Sequence, residues 1–175
     1  MKHILIVVDI QKDFVDGALG TAEAIAIVEA AAKKIQEFRG DIFVTYDTHF
    51  ENYMSTSEGA KLPVPHCIKG TSGWELNNVI AKALKSKQYT GVEKITFGST
   101  ELPKLIKEKV GEDDFDITLI GLCTDICVVS NALILKANFP NKEIYVDSTC
   151  CAGVTVETHN AALTTMRMCQ INIIE

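Results

Sequence analysis

A chain of 175 residues that is 47% apolar and 23% charged has the make-up of an ordinary globular protein and is long enough to bury a core. Its net charge of −6 excludes bulk electrostatic binding to nucleic acid or to an anionic membrane, both of which need clustered basic residues. The apolar run Ile4–Val8 is too short for a signal-peptide core, and the Ala-rich stretch Thr21–Ile35 carries Glu23, Glu29, Lys33 and Lys34, so neither is a membrane segment and a cytoplasmic protein is expected.

His3 to Asp9 is an apolar run ending on an acid, the pattern of a strand buried on both faces. Thr21 to Phe38 predicts a helix with Thr21 as its N-cap and Gly40 as its stop. Asp41 to Asp47 follows as a second strand. The stretch Phe50 to Ser72 is polar and broken by Gly59, Pro63, Pro65 and Gly70, and a loop of that length inside a compact domain is usually functional. Trp74 to Leu84 predicts a helix, Tyr89 to Lys94 a short strand, and Glu101 to Val110 a helix. Phe115 to Leu122 is the next strand and Asp125 to Ala137 the next helix, stopped by Pro140. Glu143 to Asp147, Val156 to Met168 and Ile171 to Ile174 complete the chain as strand, helix and strand. No repeat or linker divides it, so residues 1–175 are expected to form a single domain. Strands alternating with helices predict an α/β fold, a three-layer αβα sandwich around a mostly parallel, Rossmann-like central sheet.

Ligands of such sheets bind beyond the carboxyl ends of the strands. That rule selects Asp9, Asp47, His49, Lys94 and the turn Cys123–Cys127. Cys127 would sit in the first turn of a helix, where unpaired N–H groups and the helix dipole lower a thiol's pKa and can stabilise an oxyanion. A lone cysteine is more often a core residue, and it is the strand–turn–helix setting that marks Cys127 as a nucleophile. Asp47 and His49, two apart at a strand end, present their side chains on one face, and His66 is stiffened by Pro65. Gln11 and Asp13 read as supporting hydrogen-bond residues. Tyr53, Trp74 and Phe97 read as packing residues, and His3 and His159 as structural or exposed. The six cysteines are expected to be thiols, with Cys67, Cys150, Cys151 and Cys169 in core or loop positions.

Three segments carry a family resemblance: Val8-Asp9-Ile10-Gln11-Lys12-Asp13-Phe14, Gly91-Val92-Glu93-Lys94-Ile95, and Gly121-Leu122-Cys123-Thr124-Asp125-Ile126-Cys127-Val128. Together they resemble the isochorismatase-like cysteine hydrolases, and within that superfamily they are most similar to the nicotinamidases. The resemblance implies a triad of Asp9, Lys94 and Cys127. Asp9 would be the general acid–base, Lys94 would favour the thiolate, and Cys127 would form a thioester with the substrate carbonyl. It also implies an oxyanion hole from the backbone N–H groups of Cys123 and Cys127, a cis Leu122–Cys123 peptide, and Phe14 as one wall of the substrate slot.

The metal-binding members carry an Asp-x-His and a later Pro-His, here Asp47-Thr48-His49 and Pro65-His66. That set implies one divalent cation, zinc first, with iron(II) and manganese as alternatives. A further histidine found in many nicotinamidases is missing, and Glu58 is the candidate in its place, with Glu51 as the alternative. The tryptophan that often precedes the Pro-His segment is also missing, because this chain reads Lys61-Leu62-Pro63-Val64-Pro65. The implied activity is hydrolysis of a small amide, nicotinamide to nicotinate and ammonia, by a homo-oligomer. A related amidase acting on another amide or carbamoyl compound is the first alternative. A non-catalytic metal-binding or thiol-sensing domain is the second.

Overall fold

The computed structural model describes residues 1–175. Six strands, β1 (Lys2–Val8), β2 (Asp41–Asp47), β3 (Tyr89–Lys94), β4 (Phe115–Leu122), β5 (Ile144–Ala152) and β6 (Asn172–Ile174), form one sheet in the order β3-β2-β1-β4-β5-β6. Every pairing is parallel, so the sheet expected to be mostly parallel is parallel throughout. Seven helices connect and cover it: α1 (Lys12–Val15), α2 (Ala22–Glu37), α3 (Ser57–Lys61), α4 (Asn78–Leu84), α5 (Leu102–Val110), α6 (Val129–Asn138) and α7 (Val156–Met168). No helix is long and apolar enough to cross a membrane.

Strand β1 shows why three layers form. Its residues alternate between faces, so Ile4, Ile6 and Val8 enter one apolar cluster and Leu5 and Val7 the other. The first cluster is closed by Ile106 of α5, Leu135 of α6 and Met166 of α7. The second is closed by Ala31 and Ile35 of α2 and by Ile80 of α4. Where both faces are covered, over Ile4–Val8, every position must be apolar, which is what the unbroken run in the sequence encodes.

Some boundaries differ from expectation, each for a local reason. The helix expected over Trp74–Leu84 is split: Ser72–Trp74 is a 3₁₀ turn, and α4 begins only after Asn77, whose side chain accepts the N–H of Val79. Leu76, between them, is drawn into a bridge with Gln11. Strand β5 runs on to Ala152 because Cys151 and Ala152 pair with Gly121 and Leu122 beyond a bulge. The long Phe50–Ser72 segment holds a 3₁₀ turn, Tyr53–Ser55, and helix α3, which Thr56 caps through the Gly59 N–H. The helix expected from Asp125 begins instead as a single π-helical turn, Thr124–Val128, before α6. In it the carbonyl of Cys123 accepts N–H groups from both Ile126 and Val128.

The order of the strands reverses between the central neighbours β1 and β4: β2 and β3 lie outward from β1 to one edge of the sheet, β5 and β6 outward from β4 to the other. Such a switch point opens a crevice at the carboxyl ends of the two strands. There β4 presses against β1. A side chain at Gly121, whose φ is +124°, would collide with the carbonyl oxygen of Val8. At the end of β1, Asp9 adopts φ 47°, a left-handed conformation that aspartate tolerates better than most residues, and the chain turns into α1.

Candidate active site

Four strand ends converge on one cavity of about 820 Å³. Asp9 follows β1, Asp47 closes β2, Lys94 closes β3, and Cys123 and Cys127 follow β4. All but Asp9 and Lys94 line the cavity wall, and those two lie beneath it, 0% and 5% exposed.

Lys94 is the hub of this buried floor. Its Nζ lies 2.6 Å from Asp9 Oδ2, 3.4 Å from Asp47 Oδ1 and 3.6 Å from Cys127 Sγ. Burial disfavours its charge, but Asp9, Cys127 and Asp47 outweigh burial and hold the ammonium firmly protonated. The other oxygen of Asp9 accepts a 2.6 Å hydrogen bond from Thr45 Oγ1. Burial pushes the Asp9 carboxyl above its usual range despite the opposing pull of Lys94.

The expected acidic thiol is corrected here. Cys127 is held well above the ordinary thiol range, first by burial and then by the negative charge of Asp9, with Asp47 adding to it. Lys94 acts in the opposite direction and does not overcome them. The thiol is therefore held toward its neutral form beside the Asp9 carboxyl, and any reaction at this sulfur would call for a base to take its proton. Cys123 is likewise pushed up to about 12 by burial and the nearby Asp125, Asp9 and Asp47. The Leu122–Cys123 peptide is cis.

Beside this floor lies a second cluster. The ligand atoms of Asp47, His49 and His66 all fall within 4.8 Å of one another. His49 Nε2 is 2.9 Å from Asp47 Oδ2, and His66 Nε2 is 3.5 Å from the same oxygen. Glu58 Oε1, brought in by α3, lies 3.7 Å from His49 Nε2 and 3.6 Å from His66 Nε2. Glu51 is exposed and lines no part of the cavity. A cation with bonds of about 2.0–2.2 Å spaces neighbouring ligand atoms roughly 3.0–3.5 Å apart, close to these separations.

Two further observations fit a cation. His49 Nε2 is buried without a hydrogen-bond partner, approaching Asp47 without the alignment of a hydrogen bond. His66 Nδ1 lies 2.8 Å from the carbonyl of Val64. A carbonyl can only accept, so Nδ1 carries a proton and is engaged, which leaves Nε2 as the ring atom available to a cation. Burial opposes the charge of Asp47, yet His49, His66 and Lys94 hold its carboxyl well below the usual range. Asp47 thus faces two ways, Oδ1 to the ammonium and Oδ2 to the imidazoles.

Supporting residues fix these groups. Gln11, fully buried, accepts the Asp47 N–H and donates to the carbonyls of Asp47 and Trp74. Asp13 accepts the N–H of Cys67, next to His66. Phe14 packs at 5.5 Å from the His66 ring, and Tyr53 touches both imidazoles. Tyr53 and Phe97, read from the sequence as packing residues, also line the cavity, whereas Trp74 stacks near Tyr46 and donates to Thr48.

Two residues were not singled out by sequence reasoning. Thr45 faces Asp9 because β1 and β2 pair with Val8 opposite it, a register that the sequence does not reveal. Asn131, one turn after Cys127, bonds the Cys127 carbonyl at 2.8 Å and the Ser99 N–H at 2.9 Å. Its i+4 spacing from Cys127 is the signal in the sequence that could have found it. All six cysteines are free thiols, of which Cys169 is the exposed one.

The family profile described as "Isochorismatase domain" matches residues 3–175. A protein from Mycobacterium tuberculosis named nicotinamidase/pyrazinamidase is 28% identical over 185 residues, spanning 97% of each chain. The crystal structure of pyrazinamidase/nicotinamidase from Streptococcus mutans superposes with TM-score 0.86 at 30% identity, covering 98% of this chain and 99% of that one. The pyrazinamidase of Pyrococcus horikoshii in complex with zinc superposes with TM-score 0.84 at 26% identity, covering 100% and 99%.

Proposed function

This chain belongs to the isochorismatase-domain family, and from that premise we propose that it is a cysteine-dependent amidohydrolase converting nicotinamide and water to nicotinate and ammonia. The observation that carries the reading is the single buried ammonium of Lys94 within reach of both Asp9 and Cys127 on the floor of one cavity. The similarity to proteins named as nicotinamidases and pyrazinamidases supports the substrate class.

Asp9 takes the thiol proton as Cys127 Sγ bonds to the amide carbon. The ammonium of Lys94 steadies both negative groups while the proton moves. The carbonyl oxygen gains charge and is met by the N–H groups of Cys123 and Cys127. Asp9 returns the proton to the amide nitrogen, the C–N bond breaks and ammonia leaves. Water then adds to the thioester with Asp9 again as the base, Asp9 returns that proton to the sulfur as the C–S bond breaks, and the carboxylic acid so formed gives up its own proton to solvent to leave as the carboxylate. Phe14 forms one wall of the slot. Asp47, His49, Glu58 and His66 would hold a divalent cation, zinc by analogy with the P. horikoshii complex, and this ion supplies a Lewis-acidic anchor for the pyridine nitrogen when bound.

The whole of residues 1–175 acts as one unit in the cytoplasm. Phe50, Ile95, Phe97 and Val154 form an exposed apolar rim around the cavity mouth, which supports self-association into a homo-oligomer. Light scattering of the purified protein tests this, and a monomer at micromolar concentration rejects it. The catalytic reading is tested by ammonia release from nicotinamide, pyrazinamide and N-carbamoyl compounds by zinc-loaded protein. Nicotinamide should be hydrolysed best and Cys127→Ala should be inactive. Turnover surviving in Cys127→Ala rejects the thioester route.

A further inference from the structure

The π-helical turn that carries the sulfur is clasped from behind at two successive residues. Thr124, fully buried, places its Oγ1 2.8 Å from Nδ1 of His159 on α7. The carboxylate of Asp125 accepts the N–H of Val154, with both oxygens at 3.2 Å. The segment on the other side of this clasp is itself rigid. Thr155 and Thr158 cap α7 reciprocally, and Gly153 packs so closely that a Cβ there would come within 2.9 Å of His159 Cα. Cys123, Ile126 and Cys127 face the cavity, whereas Thr124 and His159 do not.

We propose that His159 is a positioning residue for the hydrolysis, acting through Thr124 to hold the turn that presents the Cys127 sulfur and the N–H groups of Cys123 and Cys127. The inference rests on the reading of Cys127 as the nucleophile. Its logic is geometric. A buried hydroxyl that lost its partner would rotate in search of another, and the turn would move with it. Transition-state contacts demand closer placement than ground-state binding, which falls to Phe14 and the metal ligands on other elements. Loss of the bond should therefore lower kcat and leave KM nearly alone.

The experiment measures ammonia release from nicotinamide by zinc-loaded wild type, His159→Leu, His159→Asn, Thr124→Val and the His159→Leu/Thr124→Val double variant. His159→Leu and Thr124→Val should each lower kcat by about 10- to 100-fold, with KM changing by less than about threefold. The double variant should be no slower than the slower single, because both remove the same bond. Asparagine puts a polar atom where Nδ1 stands, so His159→Asn should recover activity to within about fivefold of wild type. Wild-type kcat in Thr124→Val, multiplied losses in the double variant, or an Asn variant as impaired as Leu would overturn the proposal. Should His159→Leu not fold, the isosteric Thr124→Val and the His159→Asn rescue decide the matter by the same criteria. A wild type that releases no ammonia would instead reject the amidase reading itself.

Discussion

Lys94 and Asp9 form a 2.6 Å ion pair whose side chains are 2% and 0% exposed. A pair this deep is costly to desolvate and costlier to break, because one charge would be left alone. Lys94→Met would strand two carboxylates, Asp9 and Asp47, and remove the ammonium beside the thiol. We expect a loss of about 3–5 kcal/mol in stability and of at least about 10²-fold in kcat. Urea unfolding and ammonia release measure the two separately. A variant with wild-type stability and turnover would contradict the arrangement.

Glu58 and Glu51 make opposite predictions. Glu58 stands among the imidazoles while Glu51 points to solvent. Glu58→Gln should weaken zinc binding by at least about tenfold, and Glu51→Gln should leave it unchanged. Calorimetric titration of the chelator-stripped protein distinguishes them. Equal affinities in the two variants would remove Glu58 from the ligand set.

Thiol labelling follows from the environment of Cys127. In metal-free protein at pH 7.5, iodoacetamide should modify exposed Cys169 before Cys127, whose thiol is held protonated by burial and Asp9. The Cys127 rate should still be climbing above pH 9. Peptide mapping by mass spectrometry over a pH series reads both sites. Cys127 labelling first and levelling off below pH 7 would show a thiolate instead.

Asp147 gives a stability signal away from the cavity. Burial raises its pKa, but the Lys34 ammonium at 2.8 Å and the Thr149 hydroxyl hold the carboxyl below its usual range. A depressed folded-state pKa contributes stability that is present above the unfolded value, near 3.9, and is lost as pH falls through the folded value. Lys34→Met should cost about 1–2 kcal/mol at pH 7 and noticeably less at pH 3. Equal losses at both pH values in thermal or urea unfolding would argue against the ion pair.

Much of this fold is legible in the chain because parallel strands buried on both faces read as apolar runs. The run Ile4–Val8 and the exit residues Asp9, Asp47 and Lys94 all follow from that rule. What escapes is whatever depends on register or on competition between neighbours. The extension of β5 through Cys151 exists only because Gly121 and Leu122 lie alongside it. The four-residue α1 is too short to show a period. The π-turn differs from an α-helical start by one hydrogen bond, a distinction that no pattern of apolar residues encodes. The thiol's raised pKa is hidden from the sequence for a related reason. Helix position is visible in a sequence, but the depth of burial and the nearness of Asp9 and Asp47 are not.

The two-faced carboxylate of Asp47 joins what would otherwise be separate devices. Its negative charge makes the sulfur a weaker acid, and a cation seated on its other oxygen would cancel part of that influence. Thermodynamic reciprocity then applies: whatever factor metal occupancy confers on thiolate formation, the thiolate confers on retention of the metal. Because the resting thiol is neutral, capping the sulfur with an uncharged group should leave the ion undisturbed near neutrality and loosen it only at the alkaline pH where the free thiol would ionise, without any change in the ligands that hold it.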